Sequence, residues 1–75
     1  MKILLFGVLA DVVGESVIEM ETINDVDTLK RNVLSKYPLL NNYNFMIAVN
    51  KGKIENNISI KEGDEIALLP PFAGG

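Results

Sequence analysis

Ile66-Ala67-Leu68-Leu69-Pro70-Pro71-Phe72-Ala73-Gly74-Gly75 is a continuous apolar run that meets two prolines and then closes on two glycines. The part from Ile66 to Leu69 predicts a short buried strand, because it is apolar throughout and bounded by turn and breaker residues. Pro70 and Pro71 cannot donate to a sheet ladder and hold the backbone near polyproline geometry, so the strand must stop before them. Gly74 and Gly75 have no side chains and the widest backbone freedom. A stiff stalk that carries a thin, carboxylate-tipped thread off a folded body suits insertion into a narrow channel of another protein. A Gly-Gly end by itself is often only fraying, but fraying gives no reason for a stiffener directly after a buried strand.

Upstream, Lys61-Glu62-Gly63-Asp64 reads as the turn that launches this strand. Phe45 to Val49 predicts another strand, apolar on both sides. Asn50-Lys51-Gly52-Lys53 follows as a tight turn, with Gly52 expected to supply the positive φ. Lys53-Ile54-Glu55 is then a short edge strand protected by its charges. Gly52 stands in no G-x-G or G-x-x-x-x-G-K frame, so it marks no phosphate loop.

Asn24 or Asp25 opens the one convincing helix, either able to cap with its own side-chain oxygen, and Asp25 and Asp27 both suit the positive end of the dipole. Val26, Leu29, Val33 and Tyr37 recur at helical spacing as a core stripe, while Lys30, Arg31 and Lys36 lie off it. Pro38 limits continuation, and Leu39 to Asn44 reads as a loop. At the beginning, residues 2–9 predict a first strand, Ala10 to Gly14 a connection, and Val17 to Glu21 a second strand, the two pairing as a hairpin. The expected fold class is therefore α+β: a mixed sheet of about five strands with one main helix on one face.

Alternation along the first strand places Lys2, Leu4 and Phe6 on one side and Ile3, Leu5 and Gly7 on the other. Lys2 belongs in water, so Leu4 and Phe6 are expected on the open face. If Leu69 joins them, an apolar patch lies at the root of the tail, and a contiguous patch marks a partner site. Leu4, Phe6 and Leu69, together with Ile54 of the edge strand, form the expected docking set.

Composition removes several function classes. The chain has 75 residues, enough for one domain, of which 48% are hydrophobic and 23% charged. Such a chain buries only about 60% of its unfolded surface, so stability is modest without a partner. Net charge is −3 and Lys30-Arg31 is the one adjacent basic pair, which argues against phosphate-backbone binding. A mildly acidic surface suits a partner with a basic face. No apolar run approaches the roughly 20 residues of a membrane span and no signal-peptide layout opens the chain, so a cytoplasmic location is expected. There is no Cys and no His. Thiol nucleophiles, thiolate metal sites and the commonest general base are therefore missing, no metal site is expected, and catalysis by the chain alone is improbable. The carboxylates Asp25, Asp27, Asp64 and Glu65 stand where caps and turns want them.

These residues resemble the sulfur-carrier branch of the ubiquitin-like β-grasp proteins, the MoaD/ThiS family, and among them the small subunits of molybdopterin synthase. Glu62-Gly63-Asp64-Glu65, the apolar strand, Pro70-Pro71, the Phe72-Ala73 spacer and Gly74-Gly75 follow the family's ending. Ile3 to Gly7 running to Val13-Gly14 is similar to its first strand and loop, and Ala48-Val49-Asn50 to its central strand entering the turn. Many members carry Arg-Glu in the first loop where this chain has Ala10-Asp11, so an Arg contact from that loop is not expected.

The resemblance implies one β-grasp domain over residues 1–75 with a flexible tail from residue 70, and no tightly bound cofactor. It implies that Gly75 is the reacting residue and that Pro70, Pro71, Phe72, Ala73 and Gly74 are the inserted tail. A terminal carboxyl has a pKa of about 3.3–3.7 and is ionised at neutral pH. Such a carboxylate is a poor electrophile until activated. The implied route is adenylation by a ubiquitin-activating-type adenylyltransferase that consumes ATP, then conversion to a thiocarboxylate. Sulfur would next pass to cyclic pyranopterin monophosphate within the large catalytic subunit of molybdopterin synthase, in a heterotetramer. A chain ending at Gly75 would need no processing protease. A thiazole-forming sulfur carrier, a prokaryotic ubiquitin-like modifier joined to lysines, and an interaction module with an inert tail are the alternatives. Pro70-Pro71 favours the molybdopterin branch over the thiazole one.

Overall fold

The computed structural model describes residues 1–71. Strand β1 (Lys2–Leu5) has Ile3 and Leu5 buried and Lys2 exposed, as the alternation requires. It does not run on to residue 9. Gly7 turns the chain at φ +58°, and helix α1 (Val8–Val13) begins directly after it. A short apolar run cannot by periodicity alone be told from a buried helical turn; here Leu9 enters the core from α1. Gly14, left-handed at φ 87°, caps that helix through an N–H donated to the Ala10 carbonyl at 2.8 Å.

Strand β2 (Val17–Glu19) returns antiparallel to β1, with Ile18 opposite Ile3. The two strands are neighbours as expected, but α1 joins them instead of a tight hairpin loop. Helix α2 (Val26–Lys36) buries Val26, Leu29 and Val33, the stripe read from the sequence, and Tyr37 packs half-buried beyond its end. Its capping differs from expectation. Asp25 occupies the N-cap position without a capping hydrogen bond of its own; instead Asn57, 30 positions away, accepts the Asp27 N–H on Oδ1 at 2.8 Å. The Val26 N–H also donates to the Ile58 carbonyl at 3.0 Å. After α2, Pro38–Asn42 forms a turn of 3-10 helix that buries Leu40 completely, where the sequence suggested only a loop.

Strands β3 (Met46–Val49), β4 (Gly52–Ile54) and β5 (Ile66–Leu69) complete a mixed sheet in the order β2-β1-β5-β3-β4. β5 is central, parallel to β1 and antiparallel to β3. The β3–β4 turn takes positive φ at Asn50 (51°) and Lys51 (70°), not at Gly52, which is already in β4. Two consecutive positive φ values match the right-handed twist of the strands they join.

Ile3, Leu5, Ile18, Ile47, Val49, Ile66 and Leu68 lie on one face of the sheet and pack with α1, α2 and Leu40 into a single core. That apolar burial is the main favourable term in the fold. Among the described residues no polar or charged side chain is buried, and no helix is long and apolar enough to cross a membrane.

Candidate functional site

The tail leaves the sheet from its centre. β5 has neighbours on both sides, so the end of the strand is fixed by two ladders before Pro70 begins. Register sets which side chains stand together there. Leu4 is opposite Ala67, which is opposite Ala48 on β3. One step nearer the tail, Leu69 is opposite Met46. The Phe6 N–H continues the ladder to the Leu68 carbonyl at 3.2 Å, which brings Phe6 level with Leu69.

The face opposite the core therefore carries Leu4, Phe6, Met46 and Leu69 around two alanines. Ala48 and Ala67 are nearly covered because their methyl groups are too short to rise above the larger side chains beside them. Phe6 is 45% exposed and Val17, at the β2 edge, 43%. Lys2 and Lys53 border this apolar area, Lys53 directly opposite Ala48. Leu4, Phe6 and Leu69 are thus brought to one face. Ile54 is not. It pairs with Ile47 and lies on the core side of the sheet, so it cannot belong to the same patch. Met46 does belong, and only the β3–β5 register reveals it.

At the root itself the residue that matters was not singled out from the sequence. A Cβ built on Gly7 would lie 3.0 Å from Pro70 Cγ and 3.7 Å from Pro70 Cδ. The Pro70 ring occupies the space a side chain at position 7 would need. An isolated glycine after an apolar strand run does mark a close backbone approach, but nothing in the local pattern pairs it with a proline 63 positions later. Pro71 is exposed. Phe72, Ala73, Gly74 and Gly75 lie outside the described residues.

The opposite end of β5 is secured by polar side chains. Asn50 donates from Nδ2 to Asp64 Oδ1 at 3.0 Å and accepts the Glu65 N–H on Oδ1 at 2.9 Å. Its own N–H donates to the Glu65 carbonyl at 2.7 Å. Asp64 Oδ2 accepts the Lys61 N–H at 2.9 Å and closes the turn that contains Gly63 at φ +93°. The Asn50 amide, then the Lys61 N–H and the Lys61 charge, hold the Asp64 carboxyl below its ordinary value despite some desolvation. Asp64 and Glu65 are therefore turn residues.

A groove of about 600 Å³ lies elsewhere, between residues 20–25 and α2, lined by Glu21, Asn24, Asp25, Thr28, Asn32 and Lys36 among others. It is open and polar and shares no residue with the tail root. The described residues contain no group of three or more carboxylates placed to hold a metal ion.

Comparison with known proteins bears on the whole chain. A model of the ThiS family matches residues 3–75. The molybdopterin synthase sulfur carrier subunit of Caenorhabditis briggsae is 32% identical over 80 residues, covering 99% of this chain and 95% of that protein. Among solved structures, the complex of subunits 1 and 2 of molybdopterin-converting factor from Helicobacter pylori contains a chain that is 32% identical, with a TM-score of 0.72 and coverage of 99% and 96%. Small archaeal modifier protein 1 of Haloferax volcanii superposes with a TM-score of 0.81 at 22% identity, over 95% of each chain, a likeness of fold alone.

Proposed function

Since the chain belongs to the ThiS family, we propose that it is a sulfur carrier of molybdenum cofactor biosynthesis, working through the carboxyl group of Gly75. The observation that carries this reading is the junction of Pro70-Pro71 with an exposed apolar face. A tail built to enter a channel starts beside a surface that can dock the channel's owner. The relatives that bear the name molybdopterin synthase sulfur carrier subunit support the choice of pathway.

The chemistry follows from the terminus. One carboxylate oxygen attacks the α-phosphorus of ATP on an adenylyltransferase, and pyrophosphate leaves. Hydrosulfide then attacks the activated carbonyl, the acyl–phosphate bond breaks with AMP as leaving group, and the terminus is left as a thiocarboxylate. Two glycines at the tip keep a Cβ from crowding that carbonyl. The charged tail next enters the large subunit of molybdopterin synthase, docked on Leu4, Phe6, Met46 and Leu69, and delivers sulfur to cyclic pyranopterin monophosphate. Six residues from Pro70 to Gly75 span at most about 20 Å, which bounds the depth of the receiving site.

Intact mass tests the reading. Incubated with adenylyltransferase, ATP and a sulfur donor, the chain should gain about 16 Da, the exchange of oxygen for sulfur at the activated terminus. Conjugates branched at lysine would instead mark a protein modifier, and an unchanged mass an inert tail. Sulfur delivered to a thiazole precursor in place of the pterin would place the chain in the thiazole branch.

A further inference from the structure

We infer that Gly7 is a positioning residue for sulfur transfer: it seats the Pro70 ring and so sets the direction in which the tail leaves the body. The inference rests on the carrier reading above and goes beyond it, because Gly7 lies outside both the tail and the docking set. Three observations converge. Gly7 adopts φ +58° and ψ −135°, a conformation that L side chains rarely take, at the junction of β1 and α1. The space over its Cα is filled by Pro70, with Cγ at 3.0 Å from the position of a Cβ. The neighbouring ladder bond from the Phe6 N–H to the Leu68 carbonyl holds the two segments in register. Pro70 is thus fixed by its own ring against the backbone of another element, in addition to its restricted φ.

The geometry makes small errors costly. Opening a 3.0 Å approach to an ordinary carbon contact of about 3.5 Å moves the ring by about half an ångström. Referred to the Pro70 Cα, that is a turn on the order of 10° in the direction in which the chain leaves Leu69. A misplacement of about 1 Å at a reacting centre can cost about a hundredfold in rate. A receiving channel recovers part of this, so about a tenfold loss is expected. The loss should fall on turnover and leave docking alone, since the apolar face is unchanged.

The test compares thiocarboxylated wild type, Gly7→Ala, Pro70→Ala and the double variant in sulfur transfer with the large subunit. Gly7→Ala should lower kcat about tenfold with KM changed less than threefold. Pro70→Ala removes Cγ and Cδ, so the double variant should lose less than the product of the two single losses, the non-additivity of two residues that share one contact, although the strain of a side chain at φ +58° remains in both Gly7→Ala chains. If the two losses multiply, Gly7 acts only through backbone strain and the inference falls. Should Gly7→Ala fail to fold, Pro70→Ala still decides: transfer at the wild-type kcat overturns the seat. A nuclear Overhauser contact between the Gly7 α-protons and the Pro70 ring, measured on the isolated chain, tests the seat without any partner, and its absence overturns the inference. Failure of the wild type to transfer sulfur, with that contact present, would sink the carrier reading and not the seat.

Discussion

Asn50 Nδ2 donates to Asp64 Oδ1 at 3.0 Å and thereby joins the turn between β3 and β4 to the turn that precedes β5. The residue type is required twice over. Asparagine tolerates positive φ better than other residues with a side chain, and Asn50 has φ 51°. Its amide also meets Asp64 and the Glu65 N–H together. Asn50→Ala should lose both the tolerance and the bonds and lower Tm by about 5 °C or more. Asn50→Gly keeps the backbone at ease and should lose less. Thermal melts followed by circular dichroism check the order; equal losses would mean that tolerance of positive φ contributes nothing, and an Asn50→Gly chain as stable as the wild type that the side-chain bonds contribute nothing.

The same carboxylate gives a pH dependence. Asp64 is held below its ordinary value of 3.8, first by Asn50 and then by the Lys61 N–H. A carboxyl whose folded pKa is depressed contributes stability that is fully present above the unfolded pKa and lost as pH falls through the folded one. Asp25 is held down in the same direction, by Thr28 first and also by Asn57 and Arg31. Urea midpoints should therefore be flat from neutrality to about pH 5 and fall in more acid solution. Asp64→Asn should shift the midpoint downward at neutral pH and flatten the acid limb. An acid limb as steep as that of the wild type would remove Asp64 from it.

How much of this could be read from the chain depends on the range of each interaction. The β5 strand, the Val26-Leu29-Val33 stripe and the alternation of β1 depend on neighbours a few positions away, and each was legible. α1 was not, because Phe6 to Val13 is apolar enough to be strand or helix until Gly7 is known to turn. Partners distant in the sequence were equally hidden: Asn57 on the start of α2, Met46 beside Leu69, Pro70 on Gly7. Ile54 was misplaced because a strand of three residues has too little alternation to declare its face.

Leu68 and Leu69 are adjacent in the central strand and face opposite ways, so their substitutions should part company. Leu68 is fully buried, and Leu68→Ala should cost about 2–5 kcal/mol, enough to endanger a domain of this size. Leu69→Glu should leave the fold largely intact and weaken docking of the large subunit. Denaturant titration and calorimetric binding separate the two effects. If Leu69→Glu unfolds the monomer, the apolar face is packed inward and is no docking surface.

Deletion of Gly75 isolates the chemistry from everything else. The core, the Asn50–Asp64 junction and the Gly7–Pro70 contact all lie within residues 1–71, so the melting temperature should not move. Binding to the large subunit should persist through Leu4, Phe6, Met46 and Leu69. Transfer should nevertheless fall to background, because the shortened tail presents its carbonyl one residue short of the receiving site, by about 3.5 Å, and positioning of reacting atoms tolerates far less than that. Single-turnover transfer with chemically thiocarboxylated chains measures this without dependence on the activating enzyme. Transfer by the shortened chain at an undiminished rate would mean that the sulfur does not reside on Gly75.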